Sequence, residues 1–125
     1  MEPPDKIVVV DDDVDIARFV EVNLKLQGYD VLIAHDGEAA LQLIAAHEPA
    51  LAIVDWMMPK LDGLELIRQL RADPMTAPLP VILLTARTSP AFRYAGLATG
   101  ANRHVLKPFN PADLVALVRE LLDHD

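Results

Sequence analysis

Five polar residues stand where apolar runs end: Asp11 and Asp12, Asp55, Thr85, and Lys107. Three carboxylates brought together repel one another, which raises a pKa or calls for a cation. Oxygen ligands with no cysteine and no nearby histidine select a hard ion such as Mg²⁺, held at ~2.1 Å with several waters retained. A carboxylate beside such an ion, with a lysine and a threonine opposite, suits phosphoryl transfer. The ion and the ammonium neutralise the phosphoryl oxygens, the hydroxyl donates a hydrogen bond, and the carboxylate attacks in line. Each residue alone has an ordinary structural reading: Asp11 or Asp12 as a helix cap, Asp55 as a turn residue, Thr85 as a strand end, Lys107 as a solvated head. Their coincidence at strand ends favours the chemical reading.

The elements that must position them can be read from the pattern of apolar residues. Lys6–Val10, Asp30–Ala34, Leu51–Val54, Pro80–Leu84 and Arg103–Leu106 read as five short strands. The second half of each interval carries helical spacing. Asp13, Asp36, Asp62, Ser89 and Asn110 open the helices, and Gly28, Pro49, the Pro74–Pro80 segment and Gly100 stop the first four. Pro90 and Pro111 stand as first helical residues after Ser89 and Asn110. Five strands alternating with five helices predict a doubly wound α/β domain with a parallel sheet, order 2-1-3-4-5. In that order strands one and three flank the point where the winding reverses, which is where such sheets bind ligands.

Composition sets outer bounds. The chain of 125 residues is 52% hydrophobic and 24% charged, as expected for one globular domain. Residues 1–5 are read as a disordered extension and 6–123 as the domain. The acidic, proline-rich start is neither a signal nor a transit peptide, and no apolar run approaches the ~18 residues of a membrane span. With no cysteines there are no disulfides or thiolate sites. These features favour the cytoplasm and no membrane partner. A formal charge of −8, with the basic residues scattered, argues against direct nucleic-acid contact by this domain.

Val9-Val-Asp-Asp-Asp13, Val54-Asp-Trp-Met-Met-Pro59, Asp62-Gly63, Leu84-Thr-Ala86 and Lys107-Pro-Phe109 together resemble the receiver domain of two-component response regulators, over residues 6–122. The resemblance implies a flavodoxin-like fold in which Asp55 is the phosphoacceptor. It makes Asp11, Asp12, Asp55 and the backbone carbonyl of Met57 the Mg²⁺ ligands, and Thr85 and Lys107 the phosphoryl-binding pair. It further implies a cis Lys107–Pro108 peptide, and phosphoryl lifetime tuned by Met57 and Arg87. His104 stands where relatives have the aromatic switch residue. The expected partners are a histidine kinase or phosphotransfer protein on one side, and an effector domain or partner protein on the other.

The resemblance also locates a partner face on the fourth helix, fifth strand and fifth helix. Tyr94, Leu97 and Val115 match its apolar centre, and Arg93 with Asp113 keeps one charge pair. Asn102 and Arg103 replace two acids, and Leu117 replaces a base. Arg103 is therefore expected to lack a matching carboxylate, so that the face binds a partner without forming a charge-laced homodimer. Three rival readings are weaker. A binding module that never turns over phosphate would not need every acceptor and metal position. An aspartyl-phosphate phosphatase needs a second aspartate at position 57, which is Met57. Nucleotide binding lacks a Gly-rich loop after any strand. The Leu84-Thr-Ala-Arg87 and Thr99-Gly-Ala101 segments resemble receivers fused to winged-helix domains. The chain is accordingly read either as a stand-alone regulator or as a receiver from a longer protein.

Overall fold

The computed structural model describes residues 3–86 and 99–122. Five parallel strands, β1 (Lys6–Val10), β2 (Asp30–Ala34), β3 (Leu51–Asp55), β4 (Val81–Thr85) and β5 (Arg103–Leu106), form one sheet in the order β2-β1-β3-β4-β5. Helices α1 (Val14–Leu26), α2 (Gly37–His47), α3 (Gly63–Ala72) and the C-terminal α4 (Pro111–Leu122) cover both faces. The helix expected between Ser89 and the Gly100 stop lies, except for its last residues, within 87–98, outside the described residues, as do Arg87, Arg93, Tyr94 and Leu97.

Strands β3 and β4 are buried along their whole length, which explains their unbroken apolar sequence. The sheet divides the core in two. Val8, Val10, Val54 and Leu83 meet α2 and α3 on one face, while Ile7, Val9, Ile53 and Leu84 meet α1 and α4 on the other. This alternation follows from the period-two side-chain geometry of strands. Helix starts use the expected side-chain caps: Asp13 accepts from Asp15 and Ile16 N–H, Asp36 from Ala39, Asp62 from Glu65, and Asn110 from Ala112. The Asp5 carbonyl accepts from the Asp30 N–H, so the chain is already tied to β2 one residue before β1.

The amino ends of β4 and β5 are braced by Arg71, in the last turn of α3. Its Nε donates to the Gly100 carbonyl at 2.9 Å, its Nη1 to the carbonyls of Ala77 (2.8 Å) and Leu79 (2.6 Å), and its Nη2 to Asn102 Oδ1 (3.0 Å). Asn102 Oδ1 also accepts from the Val81 N–H at 2.8 Å. Among the described residues no carboxylate pairs with Arg71, and burial lowers its pKa.

Candidate functional site: an acidic cluster at the carboxyl edge of the sheet

Pairing of β1 with β3 (Val10 beside Val54) and of β3 with β4 (Asp55 beside Leu84) brings the strand ends to one edge. Asp11 and Asp12 follow β1, and Asp55 ends β3. Carboxylate oxygens of these three lie within 4.8 Å of one another, with Asp11 and Asp55 buried and Asp12 exposed. Lys107, after β5, lays its Nζ between two of them, 3.1 Å from Asp11 Oδ2 and 3.1 Å from Asp55 Oδ1. Asp11 Oδ1 accepts from the Asp13 N–H at 2.9 Å. Both oxygens of Asp11 are therefore engaged, while no partner among the described residues engages Asp55 Oδ2.

Three carboxylates against one ammonium leave an excess of negative charge, and the protonation behaviour reflects it. Burial, then the Asp11 charge, raises the Asp55 pKa from 3.8 to about 6. Lys107 pulls in the opposite direction without cancelling them, and Asp12 adds to the rise. Burial alone would lower the Lys107 pKa, but the Asp11 and Asp55 carboxylates outweigh it and the net shift is upward. An all-oxygen, net-negative, partly open cluster fits a hard divalent cation in donor chemistry and in charge.

The strand end is held by close backbone packing. Trp56 N–H donates to the Leu84 carbonyl at 3.0 Å, and Gly63 N–H donates to the Trp56 carbonyl at 2.9 Å. Gly63 opens α3 directly against β3, and a Cβ there would lie 2.4 Å from the Asp55 carbonyl oxygen. Its value is therefore close approach, beyond the turn suggested by Asp62-Gly63. Trp56 is buried beside the cluster, whereas Met57 projects outward at 55% exposure. Thr85 is buried, its Oγ1 donates to the Val105 carbonyl at 3.4 Å, and its carbonyl accepts from the Lys107 N–H. The Lys107–Pro108 peptide is cis.

One expectation changes. The site was read as having no nearby histidine, yet His35 Nδ1 lies 3.0 Å from the Asp11 carbonyl oxygen. The signal was the register: Ala34 pairs with Val10, so the next residue of β2 must stand beside Asp11. Arg103, expected to lack a matching carboxylate across a homodimer, is paired within its own chain, its Nη2 2.6 Å from Glu120 Oε1 of α4. The partner is 17 residues away in sequence and becomes a neighbour only when α4 packs beside β5. Val115, expected at the apolar centre of the partner face, also lines a groove with Asn23, Gln27 and Arg119. The 100° step of a helix puts Asp113, Leu117 and Glu120 on the other side, towards β5. Leu117 is half-buried against the α1–α4 core.

His104 points out of the sheet, with Nε2 2.8 Å from Thr99 Oγ1, which also accepts from the Ala101 N–H. Beside Lys107, Phe19 of α1 and Phe109 meet with ring centroids 6.5 Å apart. With Asp15, Ile16 and Pro108 they line a shallow apolar groove of about 400 Å³. Phe19 is 47% exposed.

Fold and site together define an α/β signalling domain of the receiver class. The chain belongs to the response regulator receiver domain family, whose model matches residues 7–119. It is thus a regulatory domain of the two-component kind, a phosphorylation-controlled switch. The response regulator MprA of Mycobacterium ulcerans is 45% identical over 117 residues, covering 94% of this chain and 50% of that protein. Among solved structures, the Francisella response regulator 1452 receiver domain is 37% identical with a TM-score of 0.84, covering 94% of this chain and 95% of that one. The Vibrio cholerae chemotaxis protein CheY4 is 33% identical with a TM-score of 0.86, covering 95% and 99%. The chain spans about half the length of the curated relatives it matches.

Proposed function

We propose that Asp55 accepts a phosphoryl group from a histidine kinase or phosphotransfer protein, in the cytoplasm, and that the domain passes the change to an effector domain or partner protein. The observation that carries the reading is the Lys107 ammonium bridging Asp11 and Asp55 within a cluster that stays net negative. Asp55 Oδ1 is held by Lys107, so Oδ2 is the oxygen that forms the new bond to phosphorus. The bond from phosphorus to the donor's imidazole nitrogen breaks as it forms, and its electron pair leaves with the ring. Asp11 and Asp12, with Asp55 and the Met57 carbonyl, would hold Mg²⁺. When bound, the ion offsets carboxylate repulsion and neutralises phosphoryl charge.

Lys107 stays beside the phosphoryl oxygens, and the Thr85 hydroxyl, which among the described residues donates at 3.4 Å to the Val105 carbonyl, turns towards them. That movement pulls on β4 next to β5, where His104 and Thr99 are hydrogen-bonded. His104 is the residue through which the surface around β5 responds. Asp113, Arg103 and the residues expected to join them (Arg93, Tyr94, Leu97) form the responding face. Val115 contributes to the apolar part of that face. Met57 is exposed at the mouth of the site, where with Arg87 it governs access of water and hence the rate of autodephosphorylation.

The test is incubation with acetyl phosphate and Mg²⁺, followed by intact mass. One phosphoryl group is expected, none on Asp55→Asn, and none with EDTA. Stoichiometric labelling of Asp55→Asn would place the acceptor elsewhere.

A further inference from the structure

His35 is exposed and stands immediately after β2, outside the residues that the phosphoryl chemistry uses. Its Nδ1 lies 3.0 Å from the Asp11 carbonyl oxygen. A carbonyl can only accept, so Nδ1 carries the proton and the ring donates. The Asp11 N–H in turn donates to the Ala34 carbonyl at 3.1 Å. Consecutive residues at the end of β2 therefore hold both backbone polar groups of Asp11.

The Asp11 carbonyl belongs to the peptide plane that leads into Asp12. Rotation of that plane swings the Asp12 side chain relative to the Asp11 side chain. No hydrogen bond or ion pair among the described residues holds the Asp12 carboxylate, and repulsion from Asp11 and Asp55 favours its departure. A donor fixed on the carbonyl opposes this rotation. We propose that His35 is a positioning residue for a divalent cation. Its Nδ1–H bond fixes the Asp11–Asp12 peptide and keeps the two carboxylates converged on one ion. The proposal rests on the reading of the acidic cluster as a Mg²⁺ site. It assigns the effect to the hydrogen bond rather than to imidazole charge.

Trp56, buried beside Asp55, supplies a readout independent of phosphorylation: the change of its fluorescence as Mg²⁺ is added. His35→Leu should weaken Mg²⁺ binding by about tenfold, the lower end of what losing an outer partner of a metal ligand costs. His35→Ser, too short to reach the carbonyl but still polar, should weaken it equally and guards against a folding defect in the leucine variant. His35→Asn carries an amide N–H close to the position of Nδ1 and has no imidazole charge; it should recover most of the affinity. Leucine and serine variants that bind Mg²⁺ like the parent would overturn the proposal, and so would an asparagine variant as weak as they are. Asp12→Ala is the separate control. If it binds Mg²⁺ like the parent, the site reading itself fails; if it loses binding, the His35 comparison stands on its own.

Discussion

Lys107 and Arg71 are both cations drawn into the edges of one sheet, and their surroundings are opposites. Lys107, at the carboxyl edge, faces two buried carboxylates and is outnumbered by negative charge. Arg71, at the amino edge, faces four neutral oxygens, and among the described residues no carboxylate joins them. The shifts follow: the Lys107 pKa is raised by its partners, whereas the Arg71 pKa is lowered by burial. The amino edge is satisfied as it stands, and the carboxyl edge is left short of positive charge. A permanent brace and an incomplete site use the same kind of side chain, and the difference lies in what each faces.

The largest effect is expected at the brace. Arg71→Leu takes the guanidinium from three main-chain carbonyls and leaves Asn102 Oδ1 with the Val81 N–H alone, and should destabilise the fold by about 3 kcal/mol, measured by urea unfolding without Mg²⁺. Arg71→Lys should recover only part of this, because a compact ammonium cannot span four oxygens as a planar guanidinium does. A full recovery would mean that charge, and not the fork, is what the amino edge needs.

At the carboxyl edge the sign should reverse. Asp55→Asn removes one of the crowded charges and should stabilise the metal-free protein by about 2 kcal/mol, less than the full shift of its pKa implies because Lys107 loses a partner. The same variant should lose most of the Mg²⁺-dependent rise in Tm. Destabilisation by Asp55→Asn in the absence of metal would erase the contrast between the two edges.

Acidification tests the same point without mutation. Asp55 binds its proton more tightly in the folded state, with a pKa of about 6 against 3.8. Between those values the folded protein carries more protons than the unfolded one. The contribution of this group is therefore fully present below about 3.8 and is lost as pH rises to about 6. Relative to Asp55→Asn, the metal-free parent should lose Tm on going from pH 4 to pH 7, with the difference flat above that. Saturating Mg²⁺ should abolish the slope, since the ion takes the proton's place.

The smallest effect belongs to the exposed pair Arg103–Glu120. Glu120→Gln should cost about 0.5 kcal/mol and the loss should fade in high salt. A cost comparable to that of Arg71→Leu would give Arg103 a structural weight that its exposure does not support.

What could be read from sequence divides along the same line. Strands buried on both faces leave unbroken apolar runs, and side-chain caps leave Asp or Asn just before a helix, so both were legible. So were Asp11, Asp12, Asp55, Thr85 and Lys107, because a polar residue ending an apolar run stands out in the chain itself. Arg71 did not stand out: in the last turn of a helix it looks like any solvated basic residue complementing the dipole. His35 and Glu120 act through neighbours brought in by sheet register and helix packing, which single-chain periodicity does not encode.

Three of the four acceptors that Arg71 grips are main-chain carbonyls, at Ala77, Leu79 and Gly100; only Asn102 is read through its side chain. A main-chain acceptor is the same whatever residue bears it. For the clamp itself, the loop between α3 and β4 is constrained in length more than in composition, although Thr76 and Asp73 make side-chain hydrogen bonds of their own and Leu79 is buried in the core. Substitutions at 77 that keep the backbone path leave the clamp intact, whereas inserting or deleting one residue moves two carbonyls out of the guanidinium's reach together. An engineer seeking a place for a label on this domain should exchange the exposed Met75 and leave the length of the loop alone.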